Sequence, residues 1–162
     1  MEPRQIVVKV ADFRVGRGGD TLVTYGLGSC VAIALYDDRA TVGGLAHILL
    51  PTPALARRGS SVHKFPQTAI PLLLEAMVAE GAQPRHLAAR LIGGAAMFNN
   101  LVPTSTIQMG ERNIVATRKT LNAHRIPVTG EAVGGNFGRT VRFDVASGVV
   151  EVSSVRLGVE RI

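Results

Sequence analysis

The chain is predicted to fold as a mixed α/β protein (an α+β arrangement) with both parallel and antiparallel strand pairing. Three observations lead there. β-Branched apolar runs crowd the first third, two stretches of helical spacing flank a single strand in the middle, and strands return at the end. A hydrophobic content of 46% and a mean hydropathy of +0.24 supply enough apolar material for a real core and argue against disorder. The length of 162 residues suits one domain spanning 1–162, and neither an internal repeat nor a linker interrupts it.

Taken in order, Ile6–Val10 is a short β-branched run, and Leu22–Tyr25 is a second one after the turn Gly16-Arg17-Gly18-Gly19-Asp20. Val31–Tyr36 ends at Asp37-Asp38, and Val42–Leu50, almost wholly apolar, ends at Pro51. Such unbroken apolar runs suit strands buried on both faces. Residues 51–64, with Pro51, Pro53 and Arg57-Arg58-Gly59-Ser60-Ser61, read as a loop. A helix follows, with Thr68 as N-cap, Pro71 at the third helical position and Gly81 as the stop; a helix starting earlier has to tolerate Pro71 inside it. His86–Ile92 reads as a strand running into Gly93-Gly94. A second helix is expected from about Glu111 to His124, with Ile114, Val115, Arg118 and Leu121 on one side. Ile126–Val128, Thr140–Phe143 and Val149–Val155 are the closing strands, with turns at Gly134-Gly135-Asn136 and Ser147-Gly148.

Charge narrows the function classes. The net charge is +6, carried by 15 Arg and 3 Lys, which suits either a solvated basic surface or an acidic partner. Nucleic acid is disfavoured as that partner. Trp is absent, Tyr and Phe are few, and the arginines are scattered singly apart from Arg57-Arg58. No apolar run approaches membrane-spanning length, and Met1–Gln5 lacks the features of a signal peptide, so a cytoplasmic protein without membrane insertion is expected.

The chemistry centres on Cys30, the only cysteine. It closes the segment Thr24-Tyr25-Gly26-Leu27-Gly28-Ser29-Cys30, and His47 follows on an apolar strand seventeen positions later. A lone cysteine is commonly a small buried hydrophobe. The flanking glycines change that reading, because they let the backbone bend sharply and leave room for a substrate. Backbone N–H groups around Gly28, Ser29 and Cys30 are then placed to act as an oxyanion hole. A thiol nucleophile needs a neighbouring base and a lowered pKa, and His47 on the adjoining strand fits the first need. No Asp or Glu lies in the apolar strands beside this pair, so Thr24 or a backbone carbonyl is the candidate to hold the imidazole, although β-propensity alone explains a threonine there. His63, His86 and His124 are scattered, and a metal site lacks its three or four clustered ligands. Gly93-Gly94 and Gly134-Gly135 fit no phosphate-binding pattern. A covalent hydrolase without metal or organic cofactor is the first expectation.

Five segments stand out together: Thr24-x-Gly26-Leu27-Gly28-Ser29-Cys30-Val31-Ala32, Gly43-Gly44-x-Ala46-His47-x-x-Leu50-Pro51, Gly93-Gly94-Ala95-x-Met97-Phe98, Gly110-x-Arg112-Asn113 and Gly134-Gly135-Asn136-x-x-Arg139. In this order they resemble the chemoreceptor glutamine deamidases of the CheD family. The resemblance implies a fold similar to that of the cytotoxic necrotizing factor deamidases, with packed mixed β-sheets flanked by helices. It implies an enzyme that converts chosen glutamines on the cytoplasmic helices of bacterial chemoreceptors to glutamate, in chemotaxis adaptation. On its motif Cys30 is the nucleophile, His47 the general base and Thr24 the residue that orients it, with Gly28 and Ser29 in the oxyanion loop. Some members of that family also bind CheC, a phosphatase of the response regulator CheY. The rival expectations are a non-catalytic module that docks on receptors or on CheC, and a hydrolase acting on another amide or ester. The chain departs from the family pattern at Ala132-Val133, where an acidic residue is common, and at Lys64-Phe65-Pro66-Gln67.

Overall fold

A computed structural model of the protein describes residues 3–97 and 108–162. Within them ten strands form two five-stranded sheets, and two α-helices lie on one side. The first sheet runs β1 (Gln5–Val7), β3 (Thr21–Leu27), β8 (Arg139–Asp144), β9 (Val150–Ser154) and β10 (Gly158–Arg161). The second runs β2 (Asp12–Arg17), β5 (Val42–Ile48), β4 (Val31–Asp37), β6 (Leu87–Gly93) and β7 (Val128–Val133). Pairing is mixed, as expected: β1 with β3 and β6 with β7 are parallel, and the other ladders are antiparallel.

The layers follow from the side-chain pattern. On β4 and β5, alternate residues serve two different cores. Ile33, Leu35, Ala46 and Ile48 face the helices, while Ala32, Ala34 and Leu45 face the first sheet. The second sheet is therefore the middle layer, which is why its strands read as continuous apolar runs. β8 and β9 alternate instead, with Val141, Phe143, Val150 and Val152 turned inward and polar residues between them. Fully buried side chains such as Phe143 and Leu73 each contribute about 1.5–3 kcal/mol over an exposed position. Two adjacent glycines on β5 admit bulky neighbours on opposite faces. A Cβ on Gly43 would stand 2.9 Å from the Phe143 ring, and one on Gly44 would stand 2.7 Å from Met77 Sδ.

Both helices start earlier than expected. α1 spans Pro66–Ala79, not a segment capped by Thr68. Phe65 is extended, as a residue before proline must be, and is buried; Pro66 opens the helix with its preset φ. Thr68 instead donates its hydroxyl to Val62 O. Pro71 consequently lies within the helix, where it offers no N–H to Gln67 O. α2 spans Met109–Ala123, and its buried face is Gly110, Asn113, Ile114, Thr117 and Leu121. Val115 and Arg118 turn away from it. Val115 is 57% exposed, and Arg118 pairs with Glu131 across 2.6 Å. β2 and β10 were not anticipated, and β7 runs five residues past the expected Val128. Phe98, the last residue of the third motif, lies outside the described residues. No helix among the described residues is long and apolar enough to cross a membrane.

Candidate active site

Thr24, His47 and Cys30 come from three chain segments that meet at one end of the layer between the sheets. β4 and β5 form an antiparallel hairpin whose turn is held by Asp37, which accepts the N–H groups of Arg39 and Ala40 at 2.9 and 3.0 Å. His47 stands opposite Ala32, so Cys30, two residues before Ala32, lies diagonally across from it. Diagonal neighbours in such a pair share a face, with Cα atoms roughly 7–8 Å apart. Cys30 does pack against the inter-sheet cluster, on the face that Leu45 and His47 share. Thr24 arrives from the other sheet. Beyond it the β3–β8 register shifts at Tyr25-Gly26, with Gly26 at a φ of 67°, and the chain turns into the Gly28-Ser29-Cys30 bend.

The imidazole tautomer follows from one hydroxyl hydrogen. Thr24 Oγ1 lies 2.7 Å from Val8 O, which can only accept, and 2.8 Å from His47 Nδ1. Since the hydroxyl proton goes to Val8 O, Thr24 Oγ1 must accept from Nδ1–H. The lone pair is then on Nε2, and Nε2 is buried without a hydrogen-bond partner among the described residues. His47 is fully buried, and that burial pulls its pKa down to about 4. It is therefore a neutral base at neutral pH.

Cys30 differs from the expectation of a lowered pKa. It is half-buried, and burial pushes its thiol above the ordinary value, with its own backbone N–H working in the opposite direction. The resting pair is thus a neutral thiol and a neutral imidazole.

The Gly93-Gly94 segment, itself braced by Gly134-Gly135, holds the bend together with Asn113. Gly28 O accepts Ala95 N–H at 2.9 Å, and Cys30 O accepts Gly94 N–H at 2.8 Å. Gly93 O in turn accepts Gly134 N–H, Gly135 O accepts Ala96 N–H, and Gly134 O accepts Arg139 Nη1 at 2.8 Å. Ser29 O is taken by Asn113 Nδ2 at 2.9 Å. All three carbonyls of Gly28, Ser29 and Cys30 are therefore occupied, while their N–H groups donate to no backbone acceptor among the described residues. Gly93 is forced by this closeness, since at its φ of 108° a Cβ would stand 2.3 Å from Cys30 O. The roles of Gly93-Gly94 and Asn113 were missed from residue type. The spacing of Gly110 and Asn113, one turn apart on a helix, was the available signal.

The remaining histidines are engaged elsewhere: His63 packs edge-on against Phe13, His86 Nδ1 lies 3.6 Å from Asp37, and His124 caps α2. Among the described residues no three His, Cys, Asp or Glu side chains gather as metal ligands. A groove of ≈ 790 Å³ lined by Pro51, Gln67, Arg112, Val115 and Lys119 contains none of the three site residues.

Comparison with known proteins supplies a family. Residues 49–154 match the model of the family described as CheD chemotactic sensory transduction. That stretch begins two residues past His47, so Thr24, Cys30 and His47 fall outside it. The chain is also similar along its whole length to curated relatives. It is 42% identical over 162 residues to the "Probable chemoreceptor glutamine deamidase CheD" of Clostridium novyi, covering all of both chains. It is 41% identical to the proteins of the same name from Clostridium tetani, covering all of this chain and 98% of that one, and from Caldanaerobacter subterraneus, covering all of both. Among solved structures, the hypothetical protein YfiH of Bacillus licheniformis gives a TM-score of 0.44 at 16% identity, over 74% of this chain and 49% of that one. Protein NMB0706 of Neisseria meningitidis gives 0.45 at 12%, over 81% and 63%. The family match and the full-length relatives together establish that this chain belongs to the CheD family.

Proposed function

We propose that the protein is a protein-glutamine deamidase acting on the cytoplasmic helices of chemoreceptors through a Cys30 thioester. The observation that carries the chemistry is the Thr24–His47 hydrogen bond of 2.8 Å, which leaves an unprotonated, unpartnered Nε2 on the face shared with Cys30. The relatives' printed names support glutamine as the substrate and chemoreceptors as its carriers.

In this mechanism His47 Nε2 takes the thiol proton as Sγ attacks the carboxamide carbon. The N–H groups of the Gly28-Ser29-Cys30 bend stabilise the oxyanion. The imidazolium returns its proton to the leaving nitrogen, which departs as ammonia and leaves the thioester. Water, deprotonated by His47, then hydrolyses the thioester to glutamate and restores the thiol. Thr24 keeps the imidazole in the Nδ1–H form throughout. Every proton is accounted for within the pair, so no metal or cofactor is called for. The net charge of +6 suits a receptor surface that grows more acidic with each turnover. The reading also takes the chain as one catalytic domain working in the cytoplasm, with CheC as a second partner.

The test is ammonia release and amide-to-acid mass gain on purified receptor cytoplasmic helices, with Cys30→Ala beside wild type. Conversion by wild type and not by the variant is the expected result. Receptor or CheC binding without conversion by either would replace the enzyme with a docking module.

A further inference from the structure

We propose that Asn113 is a positioning residue for the nucleophile: its carboxamide fixes the Ser29–Cys30 peptide relative to the end of β5, and so aims Cys30 at His47 and at the incoming amide. The proposal rests on the deamidase reading above. Asn113 is fully buried on the inner face of α2, and it spends both N–H donors on the site. Nδ2 donates to Ser29 O at 2.9 Å and to Leu49 O at 3.1 Å. Ser29 immediately precedes Cys30, and Leu49 lies two residues past His47. The β4–β5 ladder ends at the pair Val31 and Ile48. Beyond that pair, one residue on at Leu49 and two residues back at Ser29, the carboxamide bridges the two strands, setting their separation where the nucleophile leaves the sheet.

The bridge also sets direction. A peptide is planar and trans, so a Ser29 carbonyl held toward α2 sends the Cys30 N–H to the opposite side. That N–H is the group that favours the Cys30 thiolate, and it is one of the N–H groups assigned to the oxyanion. α2 packs directly on the Gly94-Ala95 backbone, where a Cβ on Gly110 would meet Gly94 O and Ala95 O at 2.5 Å. The helix therefore sits on the same glycine segment that holds Gly28 and Cys30. Without Asn113 two part-buried carbonyls lose this donor, and the Ser29–Cys30 peptide loses its tie to α2.

The test compares Asn113→Ala, and Asn113→Leu for shape, with wild type, Cys30→Ala and Thr117→Val. Thr117 is buried one turn along the same face and donates to neither carbonyl. Deamidation is measured as kcat and KM per folded molecule, and Cys30 alkylation by iodoacetamide at neutral pH is followed without substrate. The expected result is a kcat lower by roughly 10²-fold with little change in KM, slower alkylation, and wild-type behaviour for Thr117→Val. Unchanged kcat and alkylation in the folded Asn113 variants would overturn the proposal. So would losses that only track the folded fraction, or failure of both variants to fold while Thr117→Val folds, since each reduces Asn113 to a structural brace. An active Cys30→Ala protein would instead sink the deamidase mechanism, and alkylation would still report whether Asn113 governs the thiol.

Discussion

His47 and Cys30 sit on neighbouring strands but are held by opposite means. His47 lies inside β5, paired on one side with Ala32 and on the other with Asp12, and its ring is gripped by Thr24 from the first sheet. Cys30 lies just outside β4, on a bend whose carbonyls are all held by segments distant in sequence, from Gly94 to Asn113. The proposed base is built into the sheets, whereas the proposed nucleophile is suspended from loops and a helix. His47 should consequently be sensitive to its immediate contacts and to pH, and Cys30 to substitutions far along the chain.

The largest effect is expected on the nucleophile's side. Gly93→Ala adds a Cβ 2.3 Å from Cys30 O at a φ that L-residues avoid. It should cost at least about 3 kcal/mol and abolish ammonia release, as read by urea unfolding and the deamidation assay. A stable, active Gly93→Ala protein would break the contrast, because the bend would then be adjustable. Next comes Thr24→Val, which leaves Nδ1–H without its acceptor and frees the tautomer. It should lower kcat by roughly 10²-fold or more while Cys30 remains alkylatable. Equal losses of kcat and of alkylation would mean that the two halves of the site are not separately held.

The smallest expected effect is a pH dependence of stability. His47 is neutral in the fold, with a pKa of about 4 against an ordinary 6.5. The unfolded chain therefore binds the extra proton between those values, and stability falls as pH drops from 6.5 toward 4 by up to about 3 kcal/mol. Asp20 and Asp37, held below the ordinary 3.8 by Arg4 and by backbone N–H groups, begin to give way below about pH 5 and so overlap only the acid end of that window. Urea midpoints across this window should flatten in His47→Leu, and an unchanged slope would remove the buried neutral imidazole from the account.

Much of this was legible in the chain itself. The middle-layer strands β4 and β5 announced themselves as unbroken apolar runs, and the glycine flanks singled out Cys30. β2 was missed because Gly16 and Arg17, which belong to it, look like the start of the glycine turn that follows. β10 is exposed along its whole length, so no pattern of burial marks it. Thr24 was an ordinary β-former by type, and only a contact 23 residues away between two sheets distinguishes it. Asn113 was still harder to see, since its partners lie 84 and 64 positions off. Local patterns report which face of an element is apolar; they do not report which distant backbone group a buried amide will meet.

The two glycines of β5 have a bearing on how the chain avoids a silent misfold. A strand that is apolar on both faces gains nothing from its hydrophobic pattern in choosing between adjacent registers. Slipped by one residue, β5 would still bury Leu45, Ala46 and Ile48, yet His47 would point among the helices and the protein would be compact but inert. Gly43 and Gly44 forbid that slip by shape, because Phe143 on one side and Leu73 with Met77 on the other leave no room for a side chain. A void of two missing side chains thus acts as the key that registers His47 with Cys30.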